Sequence, residues 1–165
     1  MPEKKTIERA RRDRREGKSA STQAGEFVRE EIHHVREGKH GARSTKQAIA
    51  IGLSKARRAG VRLKPPRKGQ ASSRTRRRAS RDLAKGKSHA KPSPRRSRAM
   101  TKRLKKEGHS AASHAALSRQ AKASAKKRGH ADLSRAARKA ARTKGPAVRR
   151  QAAKKAARTR ARHAR

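Results

Sequence analysis

Residues 44–60 read STKQAIAIGLSKARRAG and contain the most sharply bounded helix of the chain. Ser44 is followed three residues later by Gln47, which is the spacing of a capping box at the start of a helix. Gly60 comes just after a pair of arginines, as is common where a glycine ends a helix with a basic last turn. The sequence therefore predicts a helix between Ser44 and Gly60.

This helix has apolar residues on two sides. One stripe consists of Ile49, Leu53 and Ala56, and the other consists of Ala48, Ile51 and Ala59. A helix of this kind needs two neighbours, or one neighbour and a second copy of itself. We expect the two helices before it to cover it, and weak homodimerisation through residues 44–60 is the alternative.

Two helices are predicted upstream. Residues 2–16 alternate acidic and basic side chains, with pairs such as Glu8 and Arg12 four positions apart. Residues 21–37 carry an apolar stripe with helical spacing. Residues 1–63 are therefore predicted to form an all-α unit of two or three short helices. Its candidate core or self-association residues are Phe27, Val28, Ile32, Val35, Ile49, Ile51 and Leu53.

Residues 64–97 are predicted to form a disordered basic linker. The segment opens with Lys64-Pro65-Pro66, where proline cannot continue a helix and restrains the residue before it. It then consists mainly of Arg, Lys, Ser, Pro and Gly, with almost no large apolar side chain. Burial of so little apolar surface does not offset the conformational entropy that folding removes.

Residues 98–165 form a tail rich in Ala, Lys and Arg that contains a repeat of 16 residues. The repeats occupy 114–129, 130–145 and, in a degenerate copy, 146–161. Each repeat has one large apolar residue, so the repeats cannot stack into a solenoid. The composition favours helix, whereas like charges four positions apart oppose it. We expect an intrinsically disordered tail that forms three short helices, broken at Gly129 and Gly145-Pro146, mainly when a polyanion neutralises it.

The charge of the chain is extreme. It has 53 Lys and Arg against 11 Asp and Glu, which gives a formal net charge of +42 over 165 residues. Residues 64–165 hold 36 of the basic residues and only three acidic ones. Self-repulsion of this size opposes compact folding, but it suits a chain that neutralises phosphates and releases their counterions. The sequence therefore predicts that the chain binds a polyanion, with nucleic acid as the partner.

Several classes of protein are excluded or disfavoured. The chain has no Cys, so it has neither disulfides nor thiolate metal sites. No apolar run reaches the ~18 residues of a membrane span, and the N-terminus lacks the apolar core of a secretory signal. We therefore expect no membrane partner and a cytoplasmic, nucleoid location.

The sequence also predicts no enzyme site, cofactor or metal site. No Ser/His/Asp or paired-carboxylate arrangement lies on a scaffold that could exclude water. His33 and His34 are adjacent and point apart on a helix, and His40 follows the end of that helix. Phe27 is the only aromatic residue, so stacking on single-stranded bases is not available. This favours duplex DNA over RNA as the partner.

Ser93-Pro94-Arg95-Arg96 resembles the S-P-K/R-K/R unit of linker-histone and sperm-histone tails. In those tails, a turn at the proline presents two cations to the minor groove. Together with the basic clusters of the linker and tail, this motif supplies the candidate nucleic-acid-binding residues. They are Arg76, Arg77, Arg78, Ser93, Pro94, Arg95, Arg96, Lys126, Lys127, Arg128, Arg138, Lys139, Arg142, Arg149, Arg150, Lys154, Lys155 and Arg158.

Residues 26–60 resemble a family of small uncharacterised bacterial proteins. The likeness lies in the glycine-containing loop before residue 44 and in KQAIAIGLS-KARRAG, which matches that family's K/R-Q-A-I-A-I-A-L-S-x-A-R-K-A-G helix. Gly52 replaces the family's usual alanine, which should loosen the helix by up to about 1 kcal/mol. The resemblance implies a bacterial source and no established activity. The tail from residue 97 onward resembles the Ala/Lys/Arg tails of bacterial histone-like and linker-histone-like proteins, which implies nucleoid association.

The sequence thus predicts a non-enzymatic, histone-like protein. Its basic tail would bind and compact duplex DNA with little sequence preference, and its N-terminal helices would provide self-association or a partner contact. Two alternatives stay open. One is an RNA- or ribosome-associated basic protein, and the other is an adaptor whose N-terminal helices bind a protein partner.

Overall fold

The structure is a computed structural model that describes residues 2–88 and 93–163. Within these ranges the chain is all-α and has no strand, which confirms the all-α part of the predicted fold class. The elements are α1 (Lys4–Arg15), α2 (Ala20–Arg36), α3 (Thr45–Arg58), α4 (Ser73–Ser88), α5 (Pro94–Leu104), a 3₁₀ turn (Ser110–Ala112) and α6 (His114–His163). No helix in these ranges is both long and apolar enough to cross a membrane.

The chain divides into two compact units. The first is Met1–Gln120, which contains α1 to α5, the 3₁₀ turn and the start of α6. The second is Ala121–Arg165, whose described residues all belong to α6. The first unit therefore reaches well beyond residue 63, where the Lys64-Pro65-Pro66 sequence begins.

The two ends of α3 have the chemistry expected from the sequence. Ser44 Oγ accepts a hydrogen bond from Gln47 N at 3.2 Å. The Gln47 side chain accepts one from Arg43 N at 2.9 Å, one residue earlier than in a standard capping box. Gly60 adopts φ 90°, a left-handed conformation that ends α3 without the penalty a Cβ atom would add. Local chemistry therefore sets the bounds of α3.

Two apolar clusters hold the first unit together. The first joins α1, α2 and α3 and consists of Ala10, Ala24, Phe27, Ala56 and Val61. The second joins α2 and α3 to the 3₁₀ turn and consists of Ile32, Val35, Ala42, Ala48, Ala111 and Ala112. More than half of these residues are alanines, so close approach of backbones, more than bulk, forms this core.

Close approach is most evident where α3 crosses α2. A Cβ atom on Gly52 would lie 2.7 Å from Val28 Cα and 3.0 Å from the Phe27 carbonyl oxygen. Gly52 is buried, and it shares its face of α3 with Ala48 and Ala56. The glycine that costs the helix some propensity is therefore also the residue that lets α3 pack directly on the backbone of α2.

The 3₁₀ turn is fastened to α2 and α3 by hydrogen bonds to its carbonyls. Thr45 Oγ1 donates to the Ala111 carbonyl at 2.6 Å, and Arg36 Nε donates to the Ala112 carbonyl at 2.8 Å. The loop after α2 joins the same region, because Gly41 N donates to the Leu104 carbonyl at 2.9 Å. Residues 104–112 are thus part of the folded unit.

The prediction that residues 64–97 are disordered is wrong for the described part of this segment; residues 89–92 lie outside the described residues. α4 packs on α3 with Ala79 and Gly86 buried. The Asp82 carboxylate accepts hydrogen bonds from Ser54 Oγ and Arg58 Nε, both at 2.8 Å. A count of large apolar side chains does not reveal the contact between α4 and α3, because small residues and one carboxylate form it.

α4 packs against a desolvated arginine. Arg57 is buried, and its Nε donates to the Leu63 carbonyl at 3.1 Å. Burial lowers the pKa of the Arg57 guanidinium, while the Asp82 carboxylate acts in the opposite direction. Asp82 therefore balances charge on the side of α3 that α4 covers. α4 is the second neighbour that the two apolar sides of α3 require.

The prediction of a disordered tail is also wrong. α6 is helical from His114 to His163. It is interrupted at two places, Gly129 (φ 73°, ψ 167°) and Gly145 (φ 68°, ψ 170°), which are the glycines at the ends of the first two repeats. The high helix propensity of Ala, Lys and Arg outweighs like-charge repulsion, which costs only a few tenths of a kcal/mol per pair.

Candidate nucleic-acid interface

The tail helix exposes its cations along its whole length. None of the residues of α6, all of which lie in the described part of the chain, is buried. Every predicted tail residue is exposed, namely Lys126, Lys127, Arg128, Arg138, Lys139, Arg142, Arg149, Arg150, Lys154, Lys155 and Arg158. Asp132 is the only acidic residue after Glu107, and it pairs with Arg135. The tail therefore carries almost uncompensated positive charge.

The glycine interruptions divide α6 into segments of similar length. The segments cover 114–128, 130–144 and 146–163, with the left-handed glycines between them. At 1.5 Å per residue, a segment of about 15 residues spans roughly 22 Å. Pro146 opens the third segment at a position where its missing N–H costs nothing. The repeat seen in the sequence is thus a repeat of short, straight, basic rods.

These rods have dimensions that suit a DNA groove. An α-helix is about 10–12 Å across with its side chains, and the major groove of B-DNA is about 12 Å wide. Alanine side chains keep the rods thin between their basic residues. The exposed Lys and Arg side chains of each rod can reach the phosphates that line a groove. The geometry favours contact with the phosphate backbone.

α4 adds a basic face on the folded unit. Its packing face contains Ala79, Asp82 and Gly86, and a neighbouring face carries four exposed cations at helical spacing. We call this face the α4 stripe; it consists of Arg74, Arg78, Arg81 and Lys85. Only Arg78 of this stripe belongs to the run Arg76, Arg77 and Arg78 that the sequence predicts as an interface. The i, i+4, i+7, i+11 spacing would have identified the stripe.

Of the predicted run in α4, Arg77 and Arg78 are exposed and Arg76 is half-buried on the packing side. Ser93, Pro94, Arg95 and Arg96 are all exposed, and Pro94 is at the first position of α5. The Ser-Pro-Arg-Arg motif therefore starts a helix here and does not form a separate turn. Ser93 makes no side-chain cap bond.

The residues proposed as core or self-association sites fall into two groups. Phe27, Ile32 and Val35 are buried, while Val28 and Leu53 are half-buried and pack against the clusters. Ile49 and Ile51 are half-buried on α3. The buried positions of α3 are instead Thr45, Ala48, Gly52, Ala56 and Arg57.

The structure also brings together three side chains that do not all share a helical spacing in the sequence. Glu31 and His34 of α2 and His40 of the following loop offer ligand atoms within 4.8 Å of one another. The chain reverses at Gly38, whose φ is 72°, and this returns His40 to the end of α2. No spacing rule for a regular helix would have placed these three residues in one cluster.

Comparison of the chain with models of protein families, with curated proteins and with solved structures finds no match.

Proposed function

We propose that this chain is a non-enzymatic, histone-like protein that binds duplex DNA through the phosphate backbone, with little sequence preference. The observation that supports this best is the tail, in which every Lys and Arg of α6 is exposed and only one acidic residue is present beyond Glu107. A nucleic acid is the partner whose charge such a surface matches. The α4 stripe would supply a second contact from the folded unit.

Duplex DNA is favoured over single strands because the chain has one aromatic residue, Phe27, and that residue is buried. Stacking of bases on aromatic side chains, the usual basis of single-strand binding, is therefore unavailable to it. With several rods and the α4 stripe, one chain could contact more than one stretch of DNA and compact it. The resemblance of the tail to bacterial histone-like tails supports a place in the nucleoid.

The test is a salt titration of binding to labelled duplex DNA, with an A-form RNA hairpin and heparin as competitors. The full chain is compared with a variant in which Arg149, Arg150, Lys154 and Lys155 are replaced by Gln. Each lost phosphate contact should reduce the log–log salt slope by about 0.9, so the slope should fall by up to about 3.6. The matched control replaces four exposed cations of α1, Lys4, Lys5, Arg11 and Arg14, by Gln.

We expect the salt slope of the tail variant to fall by most of this amount. The slope of the α1 control should change little. An equal loss in both variants would mean that net charge alone drives binding, without a defined interface. Preference for the RNA hairpin at physiological salt would instead place the protein among RNA- or ribosome-associated proteins.

A further inference from the structure

Two glutamates in the last two turns of α2 are buried side by side and share one lysine, Lys55. The Glu30 side chain is 2% exposed and the Glu31 side chain is 0% exposed. Glu30 Oε1 accepts a hydrogen bond from Lys55 Nζ at 3.3 Å, and Glu30 Oε2 accepts one from Glu3 N at 3.1 Å. Both oxygens of Glu30 are therefore occupied.

Glu31 is in a different state. Its Oε2 lies 2.7 Å from Lys55 Nζ and its Oε1 lies 3.3 Å from His40 Nε2, but neither oxygen makes a hydrogen bond. One lysine thus faces two buried carboxylates. A buried carboxylate without full compensation is strongly unfavourable, so this position calls for a further cation.

The two histidines beside Glu31 are oriented by their outer nitrogens. His40 Nδ1 lies 3.1 Å from the Gly41 carbonyl oxygen, and His34 Nε2 lies 2.8 Å from Glu3 Oε1. Both oxygens can only accept, so these two nitrogens carry the ring protons. In the neutral rings, the lone pairs are then on His40 Nε2 and His34 Nδ1. The His40 lone pair faces Glu31 across 3.3 Å.

We propose that Glu31, His34 and His40 bind a Zn²⁺ ion. Two imidazole nitrogens and one carboxylate oxygen are ligands that zinc prefers. Ligand atoms bound at about 2.0–2.2 Å to one tetrahedral zinc lie roughly 3.3–3.6 Å apart. The contact between Glu31 and His40 already has this length, and the whole set lies within 4.8 Å. A water molecule would complete the tetrahedron.

The surroundings of the site match those of known zinc ligands. A zinc-bound histidine usually donates its other N–H to a carboxylate or a backbone carbonyl. His34 has the carboxylate of Glu3 in that role, and His40 has the Gly41 carbonyl. With zinc bound to Glu31, Lys55 would remain the partner of Glu30. The zinc ion would then supply the additional positive charge that two buried carboxylates sharing one lysine require.

The role of the ion would be structural. It would connect the loop that contains His40 to α2. The same loop contacts the segment before the 3₁₀ turn, because Gly41 N donates to the Leu104 carbonyl at 2.9 Å and Ala42 N donates to the Gly108 carbonyl at 3.0 Å. Zinc binding would therefore stabilise the docking of residues 104–112 on the helical unit.

The test uses the full chain, stripped with a chelator and titrated with Zn²⁺ by calorimetry. We expect one ion per chain and a rise in melting temperature on adding zinc. His40→Gln should weaken zinc binding by at least about 100-fold, more than the loss of an outer partner costs. The control is His33→Gln, because His33 is the neighbour of His34 in sequence but is exposed; it should bind zinc as the parent does.

Two further measurements test the zinc site if the His40→Gln variant folds poorly. Co²⁺ bound to the parent protein should show the intense visible absorption of tetrahedral coordination. Glu3→Ala, a change at a half-exposed side chain, should weaken zinc binding by about 10-fold through loss of the His34 partner. Binding that survives His40→Gln, or that weakens equally in His33→Gln, would show adventitious binding to surface histidines and would overturn the site. A Co²⁺ spectrum without tetrahedral bands would do the same.

Discussion

Gly86 of α4 and Arg57 of α3 approach so closely that a Cβ atom on Gly86 would stand 2.1 Å from the Arg57 carbonyl oxygen. The Arg57 carbonyl belongs to the backbone of α3, so it cannot move aside as the end of a flexible side chain could. The contact explains how a helix composed largely of Arg, Lys and Ser packs against the folded unit, since absence of a side chain is what allows the approach.

Gly86→Ala should therefore destabilise the protein, although alanine is the better helix former. Overpacking costs about 1–3 kcal/mol, and the gain in helix propensity is up to about 1 kcal/mol. We expect a net loss of about 1–2 kcal/mol in the free energy of unfolding, measured by urea denaturation. The control is Gly25→Ala, which lies in α2 with no atom within 4 Å of the new Cβ and should be neutral or stabilising. A stabilising Gly86→Ala would argue against close packing of α4 on α3.

Gly52→Ala separates the local from the tertiary effect in the same way. Helix propensity alone predicts a gain of up to about 1 kcal/mol, whereas the contact of 2.7 Å with Val28 Cα predicts a loss of about 1–3 kcal/mol. We expect the loss. The midpoint of chemical unfolding, compared again with Gly25→Ala, gives the sign; a gain would mean that α2 and α3 are further apart than the structure has them.

Asp82→Ala should release α4 from α3. The carboxylate accepts from Ser54 Oγ and Arg58 Nε, and its side chain is only 14% exposed. Loss of charged hydrogen bonds of this kind costs about 1.5–3 kcal/mol. Asp132→Ala is the matched control, because that carboxylate is 49% exposed and pairs only with Arg135. Its effect on unfolding should stay within about 0.5 kcal/mol. Similar losses in the two variants would contradict the docking contact.

Gly129→Ala should join the first two rods of α6. Gly129 adopts φ 73°, which alanine disfavours, and helix-forming residues surround it. The far-UV circular dichroism signal at the helix minimum should therefore deepen. Gly145→Ala should leave the signal nearly unchanged, because Pro146 follows and keeps its predecessor out of the helical region. Equal gains in helix signal would indicate that the break at Gly145 does not depend on the proline.

The α4 stripe is expected to contribute to DNA binding independently of the tail. Replacing Arg74, Arg78, Arg81 and Lys85 by Gln should lower the log–log salt slope by up to about 3.6, with unchanged helix content. The control is again the α1 variant, in which Lys4, Lys5, Arg11 and Arg14 are replaced by Gln. An unchanged slope in the α4 variant would restrict the interface to α6 and leave the stripe as a solvated surface.

Local sequence determined where the helices end or are interrupted. The Ser44–Gln47 pair, the glycines at 38 and 60, and the breaks at Gly129 and Gly145-Pro146 all depend on interactions within a few residues, so they could be located without a structure. Composition also decided the density of positive charge that supports the proposed function. These features depend on neighbouring residues and on composition, and not on how the helices pack.

Tertiary structure alone decided which residues pack. Two of the alanines in the second cluster come from residues 111–112, more than 60 positions away from Ala48, and no pattern within one helix reports such a pairing. Prediction by counting large apolar side chains therefore assigned disorder to α4, whose contact with α3 depends on Gly86 and Asp82. The same holds for the cluster of Glu31, His34 and His40. A turn at Gly38 creates it by reversing the chain, and distance in space, not spacing in sequence, defines it.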